Sequence, residues 1–121
     1  MADRPTVAQV TEWVNFEKRE ELLAADMTGL DMSGVQLWGG NLAELNFQNV
    51  NFTNANLVGS DMSGTDVRGA DLATADLHRT SLKGAIYNDE TRLPNEFATE
   101  VRGLIHERDL PEDESDEKAG D

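Results

Sequence analysis

The chain has two histidines, His78 and His106, and they fall in different segments. Imidazole is the side chain whose ordinary pKa suits proton transfer near neutral pH. To act as a general base it needs a nucleophile or an orienting carboxylate beside it. No serine or threonine stands in an elbow or triad context, and no glycine-rich loop follows a strand and opens a helix. The sequence has no cysteine, which excludes disulfides and thiolate chemistry. Aspartates are frequent, but Asp61, Asp66, Asp71 and Asp76 recur at a constant interval and lack the spacing of a calcium-binding loop. Repeated aspartates in such a pattern read as structural. The expectation is a non-enzyme with no catalytic residue, no cofactor and no metal site.

That constant interval organises the chain from Ala25 to Asp89. Steps of five from Met27 give Met27, Met32, Leu37, Leu42, Phe47, Phe52, Leu57, Met62, Val67, Leu72, Leu77, Leu82 and Tyr87, thirteen large apolar residues in succession. We call this position i. The preceding residue, i−1, is nearly always small and polar: Asp26, Asp31, Gln36, Asn41, Asn46, Asn51, Asn56, Asp61, Asp66, Asp71, Asp76 and Ser81, with Ile86 the exception. Position i+2 is often glycine, with Asn49 and Asn54 among the others, and i−2 is mostly small. A five-residue period is not an amphipathic helix. At about 100° per residue, five steps advance roughly 140° net, so the apolar residues would spiral around the axis. It is not a plain strand either, because an odd period changes face at each repeat. It fits a short extended piece followed by a corner: i−2 and i point inward, i−1 points outward, and i+2 takes the positive φ that glycine and asparagine tolerate.

Segments such as Ala55-Asn56-Leu57-Val58-Gly59 and Ala70-Asp71-Leu72-Ala73-Thr74 resemble the pentapeptide-repeat family, whose pattern is A(D/N)LXX. The resemblance implies an all-β solenoid, a right-handed quadrilateral β-helix with four pentapeptides per coil and about three coils here. The departures lie at i−2, where Leu30, Val35, Leu45 and Val50 replace small residues and bear on coil width in the first half. Four units per coil stack residues twenty apart at about 4.8 Å. The implied inward stacks are Met27/Phe47/Val67/Tyr87, Met32/Phe52/Leu72, Leu37/Leu57/Leu77 and Leu42/Met62/Leu82, together the structural core. The outward ladders are Asp26/Asn46/Asp66, Asp31/Asn51/Asp71, Gln36/Asn56/Asp76 and Asn41/Asp61/Ser81, in which no aspartate stands directly above another. We read them as stabilising corners and stacking, with an acidic recognition surface as the alternative.

At i+1 the same register stacks Trp38, Val58 and His78 in one outward column, while the other columns are polar or small. An exposed tryptophan beside a valine is a candidate protein-binding spot. Alternatively a terminal segment folds over it. The flanks support both readings. Residues 1–24 read as an N-terminal capping helix over 6–24, with Thr6 and Gln9 spaced as a capping box and Val7, Val10, Trp13, Val14, Leu22 and Leu23 apolar. Trp13 followed by Asn15 is similar to the short helix that opens many family members. A solenoid end exposes apolar core and unpaired strand edges, so a cover is required. The repeat domain spans 25–89. Residues 90–108 read as a terminal turn and a C-terminal helix over 95–108, with Phe97, Val101, Leu104 and Ile105 on one face and Gly103 weakening it. Residues 109–121, acidic and lacking an apolar anchor, read as a disordered tail.

The formal net charge is −14. Residues 25–88 hold only seven acids against three bases, whereas the last thirteen residues hold seven against one. No signal-peptide core and no long apolar run is present, so the expected setting is soluble and cytoplasmic, or within a cytoplasmically assembled particle. The expected partner is another protein, with no direct nucleic-acid or membrane binding, and the terminal helices or coil ends offer surfaces for a homo-oligomer. Three function classes follow. The first is a protein-binding or structural scaffold. The second, implied by the family, is a DNA-mimicking modulator of a type II topoisomerase. A rod of a little over three coils is about 16 Å long and would imitate only roughly five base pairs. The third is a structural or decoration component of a larger shell or virion.

Overall fold

The computed structural model of the chain describes residues 4–95, 97 and 99–111. Its backbone is organised by a parallel ladder between residues twenty apart. Isolated bridges join Asp31 to Asn51 and on to Asp71, Gln36 to Asn56 to Asp76, Asn41 to Asp61 to Ser81, and Asn46 to Asp66 to Ile86. Each rung carries hydrogen bonds on both sides of position i−1. The Leu57 N–H donates to the Asp76 carbonyl at 3.0 Å, and the Asn56 N–H to the Val35 carbonyl at 2.8 Å. Four five-residue units therefore separate bridged partners, and the segment is a β-solenoid.

The corner chemistry explains the pattern. Position i+2 adopts positive φ at Gly29, Gly34, Gly39, Glu44, Asn49, Asn54, Gly59, Gly64, Gly69, Arg79 and Gly84. Thr74 is missing from that set, as a β-branched residue should be. There the Asn54 N–H is received by the Thr74 hydroxyl at 2.9 Å, where neighbouring corners use a backbone carbonyl. The i−1 side chains close the corner locally. Asn41, Asn46, Asn51, Asn56, Asp61, Asp66, Asp71 and Asp76 each accept, through Oδ1, the N–H of the residue two ahead. A short side chain with an oxygen at that reach is what Asp and Asn share and Gln36 lacks. Gln36 instead donates to the Gly34 carbonyl.

Twelve of the thirteen i residues, Met27 through Leu82, are buried, the most exposed being Leu77 at 6%. The i−2 residues from Val35 to Ala85 are buried with them except the half-buried Gly40, so the coils have two inward layers. Phe47 and Phe52 meet edge to face, with centroids 5.1 Å apart. Tyr87 is only half-buried.

The single helix expected over 6–24 is two. Helix α1 (Val7–Asn15) opens with the Thr6/Gln9 capping box, and α2 (Arg19–Ala24) follows a turn in which Glu17 takes φ +55°. Val10 and Val14 of α1 and Leu22 of α2 are all buried. Arg19 spans to the first coil and donates to the carbonyls of Asn41 and Ala43.

The helix expected over 95–108 is cut short and followed by a two-residue strand. Among the described residues, α-helix there is confined to α3 (Thr99–Arg102); Gly103 then turns at φ +82°, β2 (Ile105–His106) pairs in parallel with β1 (Ile86–Tyr87), and a 3-10 turn follows over Glu107–Asp109. Helical periodicity misleads here, because Leu104, Ile105 and His106 also read as i−2, i−1 and i. The unpaired edge of the last coil decides between the two. The Ile105 N–H donates to the Ala85 carbonyl at 2.8 Å, and the Gly84 N–H to the Gly103 carbonyl at 2.8 Å. The acidic tail expected over 109–121 lies, from 112 onward, outside the described residues.

Candidate protein-binding face

The column Trp38/Val58/His78 rises from one side of the solenoid. The Gly39 N–H donates to the Val58 carbonyl at 2.8 Å, and the Gly59 N–H to the His78 carbonyl at 2.9 Å, which fixes the three i+1 residues in register. Trp38 is 69% exposed, so no described segment folds over it. Val58 is half-buried and His78 exposed. Beside Trp38 the end of α1 contributes Val14, Asn15 and Glu17 to a shallow recess shared with Gly39, Gly40 and Asn41. The contact with α1 is close: a Cβ on Gly40 would lie 2.6 Å from Val14 Cγ1.

At the other end of the column the face runs into a groove of about 300 Å³ lined by Ala75, Asp76, Leu77, His78, Pro94, Phe97 and Arg102. Arg102 builds its rim. Its guanidinium stands 4.8 Å from the centroid of the Phe97 ring and donates to the carbonyls of Leu77 and Thr80. His78 Nδ1 lies 2.6 Å from Asp76 Oδ1. Together with the His78 backbone N–H, this contact holds the Asp76 carboxyl below its ordinary pKa. The pair sits in the open without a nucleophile among the groove-lining residues.

Four of the six i−1 aspartates have a local partner. Asp26 pairs with Arg4, Asp66 with Arg68, Asp71 with Arg92 at 4.0 Å, and Asp76 with His78. Hydroxyl donors keep other carboxyls ionised: Thr28 lowers the pKa of Asp26, Ser33 that of Asp31 and Ser63 that of Asp61, each helped by the same residue's backbone N–H. Asp66 in turn raises that of Arg68. Between coils, Asn51 donates to Asp31 and Asn56 to Gln36. Among the described residues no group of three His, Asp or Glu side chains could hold a metal ion, and no helix is long and apolar enough to cross a membrane.

Sequence reasoning did not foresee the role of His106. It is buried at the end of the Val67/Tyr87 stack, edge-on to the Tyr87 ring at 5.0 Å. Its Nδ1 accepts the Arg108 N–H at 3.1 Å, which leaves Nε2 to donate to Asp89 Oδ1 at 2.8 Å. The nineteen-residue step from Tyr87 to His106, one short of a coil, was the available signal.

Residues 31–69 match the family model for pentapeptide repeats, in eight copies. No curated protein matches the chain in sequence. Among solved structures, the pentapeptide-repeat protein Rfr23 from the cyanobacterium Cyanothece 51142 is 31% identical with a TM-score of 0.56, over 58% of this chain and 48% of that one. The chain thus spans about half the length of that protein. A pentapeptide-repeat protein from Nostoc Pcc 7120 is 21% identical with a TM-score of 0.46, over 88% of this chain and 100% of its own. One from the Arabidopsis thaliana thylakoid lumen is 21% identical with a TM-score of 0.35, over 75% and 74% respectively. The five-residue corners, the twenty-residue ladder and the family-model match agree: residues 31–69 are a run of pentapeptide repeats.

Proposed function

We propose that the chain is a non-enzymatic scaffold that binds another protein through the Trp38/Val58/His78 face. The solenoid is then a right-handed, four-sided β-helix of about three coils, closed at its ends by α1–α2 and by the 99–109 segment. The observation that carries the reading is Trp38, a large aromatic 69% exposed on a backbone locked by inter-coil hydrogen bonds. Rigid exposed aromatics of this kind are common anchors of protein interfaces. A net charge of −14 favours a protein partner over nucleic acid. Topoisomerase modulation by DNA mimicry is less well supported: four of the six i−1 aspartates, Asp26, Asp66, Asp71 and Asp76, have a cationic or imidazole partner, so the solenoid lacks a continuous row of uncompensated charge.

Affinity capture from the native cell with mass spectrometry, run on wild type and Trp38→Ala, tests the proposal. Trp38 leaves the coil, so the variant should melt like wild type by circular dichroism. Its partner should be lost or weakened by about 2 kcal/mol, the scale of a hot spot. A shell or coat protein as that partner would make the module a component of an assembly. Unchanged melting together with unchanged capture refutes the site.

A further inference from the structure

The binding face carries a protrusion at one end and a groove at the other, and Val58 lies midway. Trp38 and His78 stand one coil either side of it, each about 4.8 Å away along the axis. An isologous interface requires such a patch, because a twofold axis brings each half of the surface against the other half. We propose that this face pairs with a second copy of the chain, antiparallel and face to face, about a twofold axis lying in the interface at the level of Val58. The proposal rests on the reading of the Trp38 face as a binding surface and names its partner.

The axis sets Val58 against Val58 and Trp38 against the partner copy's groove end. The fit is chemical as well as geometric. The groove is lined by the apolar Ala75, Leu77, Pro94 and Phe97 and by the polar Arg102 and the His78–Asp76 pair. An indole fills such a space and offers its π face to the guanidinium and imidazole at the rim. Net charge also disfavours two of the other three sides. Two copies of a −14 chain repel each other, and this ladder, Gln36/Asn56/Asp76, has one acid, already engaged by His78. The ladders Asp26/Asn46/Asp66 and Asp31/Asn51/Asp71 carry two acids each. The patch is three coils tall, which is small for an interface, so the pair should be weak and concentration-dependent.

Sedimentation equilibrium on the full chain reads the mass directly. Wild type should move from 13.3 kDa toward twice that mass as its concentration rises to about 1 mM. Val58→Lys and Val58→Glu each place like charges across the axis and should each weaken pairing at least tenfold. Mixed in equal amounts, the two should pair again, an outcome that only a self-facing Val58 produces. Trp38→Ala should also weaken pairing, with an unchanged melting temperature. A monomeric wild type over the whole range, or Val58 variants that pair as wild type does or fail to recover on mixing, overturns the proposal. If wild type is monomeric but Trp38→Ala loses a captured protein, the face serves a different partner and only the self-pairing falls. If neither changes, both readings fall.

Discussion

Leu57→Ala tests whether the inward stacks hold the domain together. Leu57 is fully buried between Leu37 and Leu77 in its column, at 0%, 1% and 6% exposure respectively. The substitution removes three carbon centres' worth of apolar surface, about 2.4 kcal/mol at ~0.8 kcal/mol per methylene. A cavity cost adds to this, and here it should be near the upper end. The coils above and below are held at their spacing by backbone bonds, Leu37 N–H to the Asn56 carbonyl at 2.9 Å and Leu57 N–H to the Asp76 carbonyl at 3.0 Å, so the walls cannot collapse inward. A total of about 4 kcal/mol follows, within the range of measured Leu→Ala changes. With a urea slope of about 1.3 kcal/mol/M for a chain of this size, the midpoint should fall by about 3 M. Leu77→Ala provides the internal control. Leu77 lines the open groove, so its vacated space joins solvent and the cost should be clearly smaller. Equilibrium unfolding followed by far-ultraviolet circular dichroism measures both. A Leu57→Ala cost below about 1.5 kcal/mol, or one no larger than that of Leu77→Ala, would refute the stacked-core reasoning. Leu57→Asp should give no folded protein, because it buries an unpaired carboxylate.

Two neighbouring glycines should respond for different reasons. Gly39 has φ +69° and open space at the Cβ position, so Gly39→Ala should cost about 1 kcal/mol from backbone strain alone. Gly40→Ala meets Val14 and the Leu37 carbonyl at 3.0 Å, so it should loosen α1, read as faster hydrogen exchange over residues 7–15. Acid provides a further test. The carboxyls of Asp26, Asp31, Asp61 and Asp76 have lowered pKa values in the folded state, so more protons bind on unfolding. Their contribution is present above the ordinary aspartate value of 3.8 and is lost as pH falls through the lowered folded values. The four-site Asp→Asn variant should show a flatter melting temperature across that acid range, and an unaltered acid limb would contradict the assignment.

The repeat is local, and that is why so much of it is legible in order along the chain. Each corner needs an oxygen at i−1, an apolar side chain at i and a residue tolerant of positive φ at i+2, and all three requirements are met within five residues. The inward residues and the Trp38 column follow from that phase. Neither the helix break at Glu17 nor the strand Ile105–His106 is local in this sense. The first depends on how Val10, Val14 and Leu22 reach the coil end and on the carbonyls that Arg19 meets. The second depends on the unpaired edge left by Ile86 and Tyr87, which outweighs a helical pattern too short to stand alone. The same long-range choice carries Arg102 to the Leu77 and Thr80 carbonyls and Phe97 to the groove. Sequence by itself therefore determined the solenoid and the tryptophan on its face, because both repeat with the backbone. Only the tertiary structure decided what closes the two ends and what lies beside that tryptophan, because those contacts join residues that no short-range pattern connects.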